Sequence, residues 1–348
     1  MTDPIAPDKD TSARFADDLL AWYDREARVL PWRVGPHDSG RQAPYRVLVS
    51  EVMLQQTTVA VVEKRYPEFL ERFPDVRVLA RADEADVTAA WAGLGYYRRA
   101  RALHACAKAV VQDHDAVFPE DEATLRTLPG VGDYTSAAIA AIAFDAPAVV
   151  VDGNIERVMA RVGLIDAPLP KGKKAIKAAA AARTPQKRGG DYAQALMDLG
   201  ARICRPKAPN CLLCPIRDHC LAAASGDPER LPVKAPKKDK TTVYGRIFVF
   251  QNEDHQVLCV RRPAKGLFAG MLGLPGDGWD GSNTMTSKMT GFKDKGSVSH
   301  ILTHRRLKID VFVSAQQPQG IKGEWVSLDE AQASLPTLFV KALERALN

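Results

Sequence analysis

No stretch of this 348-residue chain is long and apolar enough to span a bilayer. Its longest apolar runs, such as 137–144, fall well short of the ~20 residues a membrane helix requires. The first ten residues hold Asp3, Asp8 and Asp10 and no apolar core, so they do not read as a signal peptide. A large excess of one charge is also missing. The formal net charge is +6 and the isoelectric point about 8.9, a mild hint of a polyanionic partner that says nothing about fold. Strict alternation of apolar and polar residues is scarce up to residue 224, which argues against a sheet in that part. Cysteine is sparse, at six residues. What remains is ordinary globular composition, 46% hydrophobic and 26% charged, with length enough for two domains, each with its own core.

Four of the six cysteines are not scattered. Cys204, Cys211, Cys214 and Cys220 follow the spacing C-x6-C-x2-C-x5-C within seventeen residues. Four thiolates so close in sequence suit a soft-ligand centre, an iron–sulfur cluster or zinc. Zinc sites more often pair two C-x2-C knuckles far apart. Here one compact segment, with a single C-x2-C between two longer gaps, must supply all four corners. Core thiols or disulfides are the plain alternative, disfavoured by the tight clustering. A zinc knuckle, with His219 as a substitute ligand, stays open. A clustered thiolate site without an export signal points to a reducing, cytoplasmic setting. Cys106 and Cys259 lie in apolar patterns and read as core residues.

Apolar residues recur at helical spacing over 15–23, 47–62, 87–91, 103–111, 135–144, 155–162 and 192–199. Breaks such as Phe73-Pro74-Asp75 and Phe118-Pro119-Glu120 separate them. The basic, alanine-rich segment 171–183 reads as a solvated helix. Residues 225–242, rich in proline and lysine, read as an extended linker. Strand patterns then appear over 243–250, 256–261 and 308–314, and a helix closes the chain over 338–347, so a second, α+β domain is expected.

Three local patterns carry chemistry. Leu128-Pro129-Gly130-Val131-Gly132 lies between helical segments; its glycines permit a tight turn with exposed N–H groups ahead of a helix N-terminus, able to hold a phosphate. Asp152, in Val151-Asp152-Gly153-Asn154, follows an apolar run and precedes a helix, where aspartate is a favoured N-cap. Glu51 has Val47, Leu48, Leu54 and Gln55 as same-face helical neighbours, three of them apolar. A carboxyl there loses hydration, its pKa rises, and it can stay protonated to act as an acid. A surface glutamate, the common case, would not sit in V-L-V-S-E-V-M-L.

Taken together these residues resemble the helix-hairpin-helix DNA glycosylases of the endonuclease III superfamily. The strings S-E-V-M-L-Q-Q-T, Leu30-Pro31-Trp32-Arg33, and Trp91-Ala92-Gly93-Leu94-Gly95-Tyr96-Tyr97 with Arg98, Arg99 and Arg101 after it, narrow the likeness to the adenine DNA glycosylase, or MutY-type, branch. The resemblance implies a multidomain chain. An all-α glycosylase region at 12–224 would comprise a six-helix barrel at about 31–150, and an iron–sulfur cluster domain made of the N-terminal helix and 151–224. A linker at 225–242 and an α+β Nudix-like domain at 243–348 would follow. It implies a [4Fe–4S] cluster on the four cysteines, double-stranded DNA with adenine opposite 8-oxoguanine or guanine as substrate, no membrane partner and a monomer. Glu51 would be the general acid, Asp152 would face the sugar, Asn154 would position Asp152, and Tyr134 would line the pocket. Bifunctional relatives carry a Schiff-base lysine at the Tyr134 position, so a monofunctional enzyme is expected. Gln55, Gln56 and Tyr96 would wedge the base stack, and Leu128, Gly130, Val131 and Gly132 would form the DNA-binding hairpin.

In the second domain, Arg261-Arg262-Pro263, Gly266-Leu267-Phe268-Ala269-Gly270 and Leu274-Pro275-Gly276 resemble the Nudix-like domain that inspects 8-oxoguanine. The acidic R-E-x-x-E-E box is absent, so pyrophosphohydrolase chemistry is not expected. Leu302, Thr303 and His304 align with the family's reading loop, and a competing register would use Val298-Ser299-His300. The alternatives are a bifunctional endonuclease III-type lyase and a non-catalytic metal-containing DNA-binding protein. The second would not need Glu51 in an apolar helix together with Asp152.

Overall fold

A computed structural model describes residues 9–235, 239–263, 266–279, 291–302, 304–314 and 320–348. The chain divides into two compact units, Met1–Ala235 and Pro236–Asn348.

The first unit is helical. In order it holds α1 (Lys9–Glu26), α2 (Pro44–Leu54), α3 (Val59–Arg72), α4 (Val76–Arg81), α5 (Glu84–Ala90), α6 (Arg98–Asp113), α7 (Glu122–Leu125), α8 (Asp133–Phe144), α9 (Gly153–Val162), α10 (Lys173–Ala181), α11 (Gly189–Arg202) and α12 (Leu221–Ala224). α8, DYTSAAIAAIAF, is apolar nearly all round, and such a helix belongs inside. α2 and α11 both pack on it, and its small residues from Ala137 to Ala141 are fully buried. Phe15, Leu48, Phe69, Leu103, Ile155 and Leu196 bring α1, α2, α3, α6, α9 and α11 into the same core, joined by Trp91 just after α5.

The helical spacing over 47–62 predicts one helix, and the structure breaks it in two. Gln55 ends α2, Gln56 takes a left-handed φ of 58°, and Thr58 is extended at the start of α3. The apolar periodicity runs through because both helices face one core. The turn contains neither glycine nor proline, so sequence gives no break signal.

The segment read as a linker is shorter than expected. Pro228–Arg230 forms a 3-10 turn, Leu231 is buried, and its carbonyl accepts a bond from Arg161 Nε at 3.1 Å. Leu169 N–H donates to Val233 O at 2.9 Å. Residues 225–235 therefore belong to the helical unit, and by Thr241 the next strand has begun.

The second unit has a four-stranded sheet in the order β4 (Gly276–Asp277), β1 (Thr241–Phe250), β6 (Arg305–Ser314), β5 (Lys293–Ile301), with β1 and β6 parallel and the other pairs antiparallel. A second sheet runs β3 (Leu272–Gly273), β2 (Val257–Arg261), β7 (Glu324–Val326). Helix α13 (Leu328–Ser334) precedes α14 (Thr337–Leu347), whose Leu338, Phe339, Ala342 and Leu343 pack with Ile247, Leu307, Ile309 and Val311 of the sheet. Among the described residues no helix is long and apolar enough to cross a membrane.

Candidate active site

Glu51, Tyr134, Asp152 and Asn154, separated by up to a hundred residues in sequence, line one cavity of about 580 Å³ in the helical unit. Glu51 comes from the last turns of α2 and is 4% exposed. Burial pushes its carboxyl up from 4.5 to about 7. The hydrogen bond from Tyr134 and the charge of Arg33 oppose that push, and the nearby Asp152 charge adds to it. Tyr134 OH, from the first turn of α8, donates to Glu51 Oε2. Burial and the facing Glu51 carboxylate hold the phenol well above its ordinary range, so it is a donor and not a phenolate. A buried carboxyl raised in this way keeps its proton to higher pH than an exposed glutamate, a property that suits a proton donor.

Asp152 caps α9. Its Oδ1 accepts from Ile155 N–H at 2.7 Å and its Oδ2 from Asn154 Nδ2 at 3.0 Å. Burial raises the Asp152 pKa, while these two donors oppose the rise and favour the carboxylate. The same side chain thus caps α9 and lines the cavity.

At the mouth of the cavity, Gln55 Nε2 lies 3.5 Å from Thr135 Oγ1, and Gln56 is exposed on its left-handed turn. Tyr96, 60% exposed, has a φ of 49°. Gly130, with φ 76°, stands against α6, where a Cβ would meet Ala102 Cβ at 2.7 Å. The turn 128–132 therefore admits only glycine at its third position. Leu128 and Val131 are buried beneath it, and Gly132 leads into α8 with open space beside it.

The four cysteines are free, half-buried thiols on a segment that follows α11. Burial raises the thiols of Cys211, Cys214 and Cys220, and each also responds to the charge of other cysteines in the group. Arg161 Nη1 donates to Cys204 Sγ at 3.3 Å. Among the described residues no three His, Cys, Asp or Glu side chains form a site for a single metal ion. The donor set is four soft thiols in one loop with a guanidinium to offset their charge, which fits a thiolate-ligated cluster. His219 is not free to join it: its Nε2 pairs with Asp18 Oδ2 at 2.8 Å and its ring stacks edge-on to Phe15. Of the basic residues near the loop, Arg202 at the end of α11 is tied to Glu26 on α1, and Arg205 Nη2 bonds Ala208 O.

Residues 49–186 match the family model of the HhH-GPD superfamily base excision DNA repair protein, and 246–345 match the NUDIX domain. The adenine DNA glycosylase of Homo sapiens is 33% identical over 369 residues, spanning 88% of this chain and 67% of the human protein. That of Mycobacterium tuberculosis is 42% identical over 212 residues, 60% of this chain and 68% of the bacterial protein. A solved thermostable thymine-DNA glycosylase matches with a TM-score of 0.54 at 27% identity, over 62% of this chain and 98% of that one. The chain belongs to the adenine DNA glycosylase family.

Within that family frame, several residues at the site escaped the sequence reading. Asp198, fully buried in α11, accepts from Arg28 Nε at 2.6 Å and from Arg33 Nη1 at 2.8 Å. Both arginines line the cavity, so Asp198 fixes their position there, and the charge of Arg33 lowers the Glu51 pKa. An acid inside the apolar helix pattern YAQALMDLG was the available signal, the same one that marks Glu51. Arg157 joins the site to the cysteine loop: Nη2 donates to Asn154 Oδ1 at 3.0 Å and Gly200 O at 2.7 Å, and Nε to Cys204 O at 2.8 Å. Glu156, which the sequence marks as standing where the resembling family carries a basic residue, also lines the cavity, 3.9 Å from Lys173 Nζ.

In the second unit, Leu302 and His304 flank the β5–β6 turn, which is closed by Leu302 N–H to Arg305 O at 2.8 Å. Thr303 lies outside the described residues. His304 is exposed and Leu302 half-buried. The competing triplet, Val298 to His300, lies inside β5, paired with Ile309, Lys308 and Leu307, and the His300 ring packs 6.1 Å from Phe268.

Proposed function

We propose that the chain removes adenine mispaired with 8-oxoguanine, or with guanine, from double-stranded DNA by hydrolysing the N-glycosidic bond and leaving an abasic site. The observation that carries this reading is a buried carboxyl raised to about 7, Glu51, in one cavity with Asp152. Adenine flipped from the stack enters the cavity. Glu51 gives its proton to N7, which turns the base into a viable leaving group. The departing base leaves a sugar with oxocarbenium character, and the Asp152 carboxylate, held by Asn154 and the Ile155 N–H, opposes that charge. Glu51, now ionised, accepts a proton from the attacking water. Tyr134 has no amine to form a Schiff base, so strand cleavage is not part of the reaction.

Cys204, Cys211, Cys214 and Cys220 would hold a [4Fe–4S] cluster. These cysteines would thereby tie together the loop that carries Arg205 and Lys207, and bond cleavage would need no electrons from the cluster. Leu302, Thr303 and His304 would read the base opposite adenine, an assignment supported by the position of Leu302 and His304 between β5 and β6, whereas His300 is held in the sheet. The chain would act as a monomer.

The test is excision from duplexes that differ only in the base opposite adenine. Release of adenine opposite 8-oxoguanine and guanine, and not opposite thymine, is expected. Excision of a pyrimidine instead, or strand cleavage trapped by borohydride, would overturn the reading.

A further inference from the structure

Arg99 stands in the first turn of α6, outside the catalytic cavity, and none of the chemistry above uses it. Its guanidinium reaches two separate loops at once. Nη1 donates to Val52 O at 2.9 Å, Met53 O at 3.0 Å and Gln55 O. Nη2 donates to Leu94 O at 2.8 Å, Gly95 O at 3.2 Å and Thr57 Oγ1 at 3.1 Å. Nε is buried without a partner. The Arg99 guanidinium carbon lies 5.6 Å from the Trp91 ring centroid and 5.5 Å from that of Tyr96. Trp91 Nε1 adds a 3.2 Å bond to Gly95 O.

Both loops hold a non-glycine residue in the left-handed region, Gln56 at φ 58° and Tyr96 at φ 49°. Such conformations persist only where the surroundings impose them. The carbonyls of Val52 and Met53 are among those that a helix end leaves without intrahelical partners, so the planar fork of arginine caps α2 with one arm and fixes the other loop with the second. A lysine could offer one point charge and not the fork.

We propose that Arg99 is a positioning residue that staples the Gln55–Thr57 turn to the Leu94–Tyr96 turn, so that Gln56 and Tyr96 enter the base stack as a single rigid wedge. The inference rests on the base-flipping reading above. It separates two roles that a simple stability argument merges. A residue that only supports the fold would lower excision from any substrate. A residue that sets the wedge lowers it only where adenine must be pulled from a pair.

The experiment uses the full chain and the variants Arg99→Met and Arg99→Lys, whose helical content and melting temperature are recorded first. Single-turnover excision is measured on a duplex with adenine opposite 8-oxoguanine and on one with adenine opposite an abasic gap. In a Glu51→Gln background, fluorescence of 2-aminopurine at the target position reports unstacking without excision. Both variants are expected to lose about 10- to 100-fold in rate on the paired duplex, the equivalent of one or two charge-assisted hydrogen bonds. They should lose the unstacking signal and stay within about threefold of the parent on the gapped duplex. Arg99→Lys carries the test if Arg99→Met does not fold. Equal losses on both duplexes, or none on the paired one, would overturn the staple. If the parent chain excises adenine from neither duplex, the functional reading falls, and the fluorescence arm still decides the wedge.

Discussion

In the proposed reaction one proton, carried by Glu51, decides the chemistry. Its carboxyl is raised from 4.5 to about 7, so the acid form needed for excision is lost as pH rises through about 7. The Tyr134 hydrogen bond lowers that pKa, and Tyr134→Phe should therefore move the basic limb of the rate–pH profile to higher pH; a limb that stays or moves down would contradict the assignment. The same shift has a stability consequence with a definite sign. Between 4.5 and about 7 the folded state binds more protons than the unfolded state, so this group's contribution to stability falls as pH rises through that window. Glu51→Gln removes the liability, and its melting temperature relative to the parent chain should climb from pH 5 to pH 8. That variant should also bind DNA normally and lose excision about 100-fold or more, the typical reach of general acid catalysis. Asp152→Asn should lose rate comparably through the sugar. Glu51 and Asp152 were legible in sequence because each breaks its local pattern, a carboxyl in an apolar helix and a cap after an apolar run. Their raised pKa values depend on burial, which the sequence could suggest and only the cavity displays.

At the scale of elements, α9 links cap, cavity and cysteine loop. Asp152 caps its N-terminus, Asn154 orients Asp152, and one turn later Arg157 binds Asn154 and the carbonyls of Gly200 and Cys204. The cysteine loop is thereby connected through Arg157 and Asn154 to the Asp152 carboxylate. Arg157→Gln is expected to slow excision by about tenfold, as loss of roughly one charge-assisted bond to the cap network would, and to leave Glu51 titration in place. The purified parent protein should contain roughly four irons per chain, since four thiolates suit one [4Fe–4S] cluster; stoichiometric zinc after anaerobic preparation would reject the cluster. Helices with clear breaks, such as those flanking Phe73-Pro74-Asp75, were readable from residue pattern alone. The α2–α3 turn was not. It is enforced by Arg99 across more than forty residues of sequence, and Gln56 takes its left-handed conformation with no glycine to announce it.

The division of the whole molecule follows its cores. Glu51, Tyr134, Asp152 and Asn154 all lie in Met1–Ala235, and the β5–β6 turn lies in Pro236–Asn348. Composition marked the change of architecture near residue 240 but misplaced its edge, because proline and lysine signal an open chain while Leu231, between them, is buried on the helical unit. A truncation designed from composition at residue 224 would strip Leu231 from its site beside Arg161 and expose buried surface. Ending the chain after Ala235 keeps that contact and the Leu169–Val233 bond. This shorter chain should still excise adenine, since no catalytic group is lost. Its preference for 8-oxoguanine over guanine should flatten, because discrimination is a difference in transition-state affinity and a hydrogen-bonding loop supplies roughly 1–3 kcal/mol of it. In the full chain, Thr303→Ala with His304→Ala should give the same flattening. A Ser299→Ala, His300→Ala pair should instead lower stability through β5 and leave the preference intact, as His300 is paired within the sheet and its ring packs against Phe268. Competition between the two duplexes in one tube measures the preference directly, and retention of full discrimination by the truncated chain would move the reading of the opposite base into the helical unit.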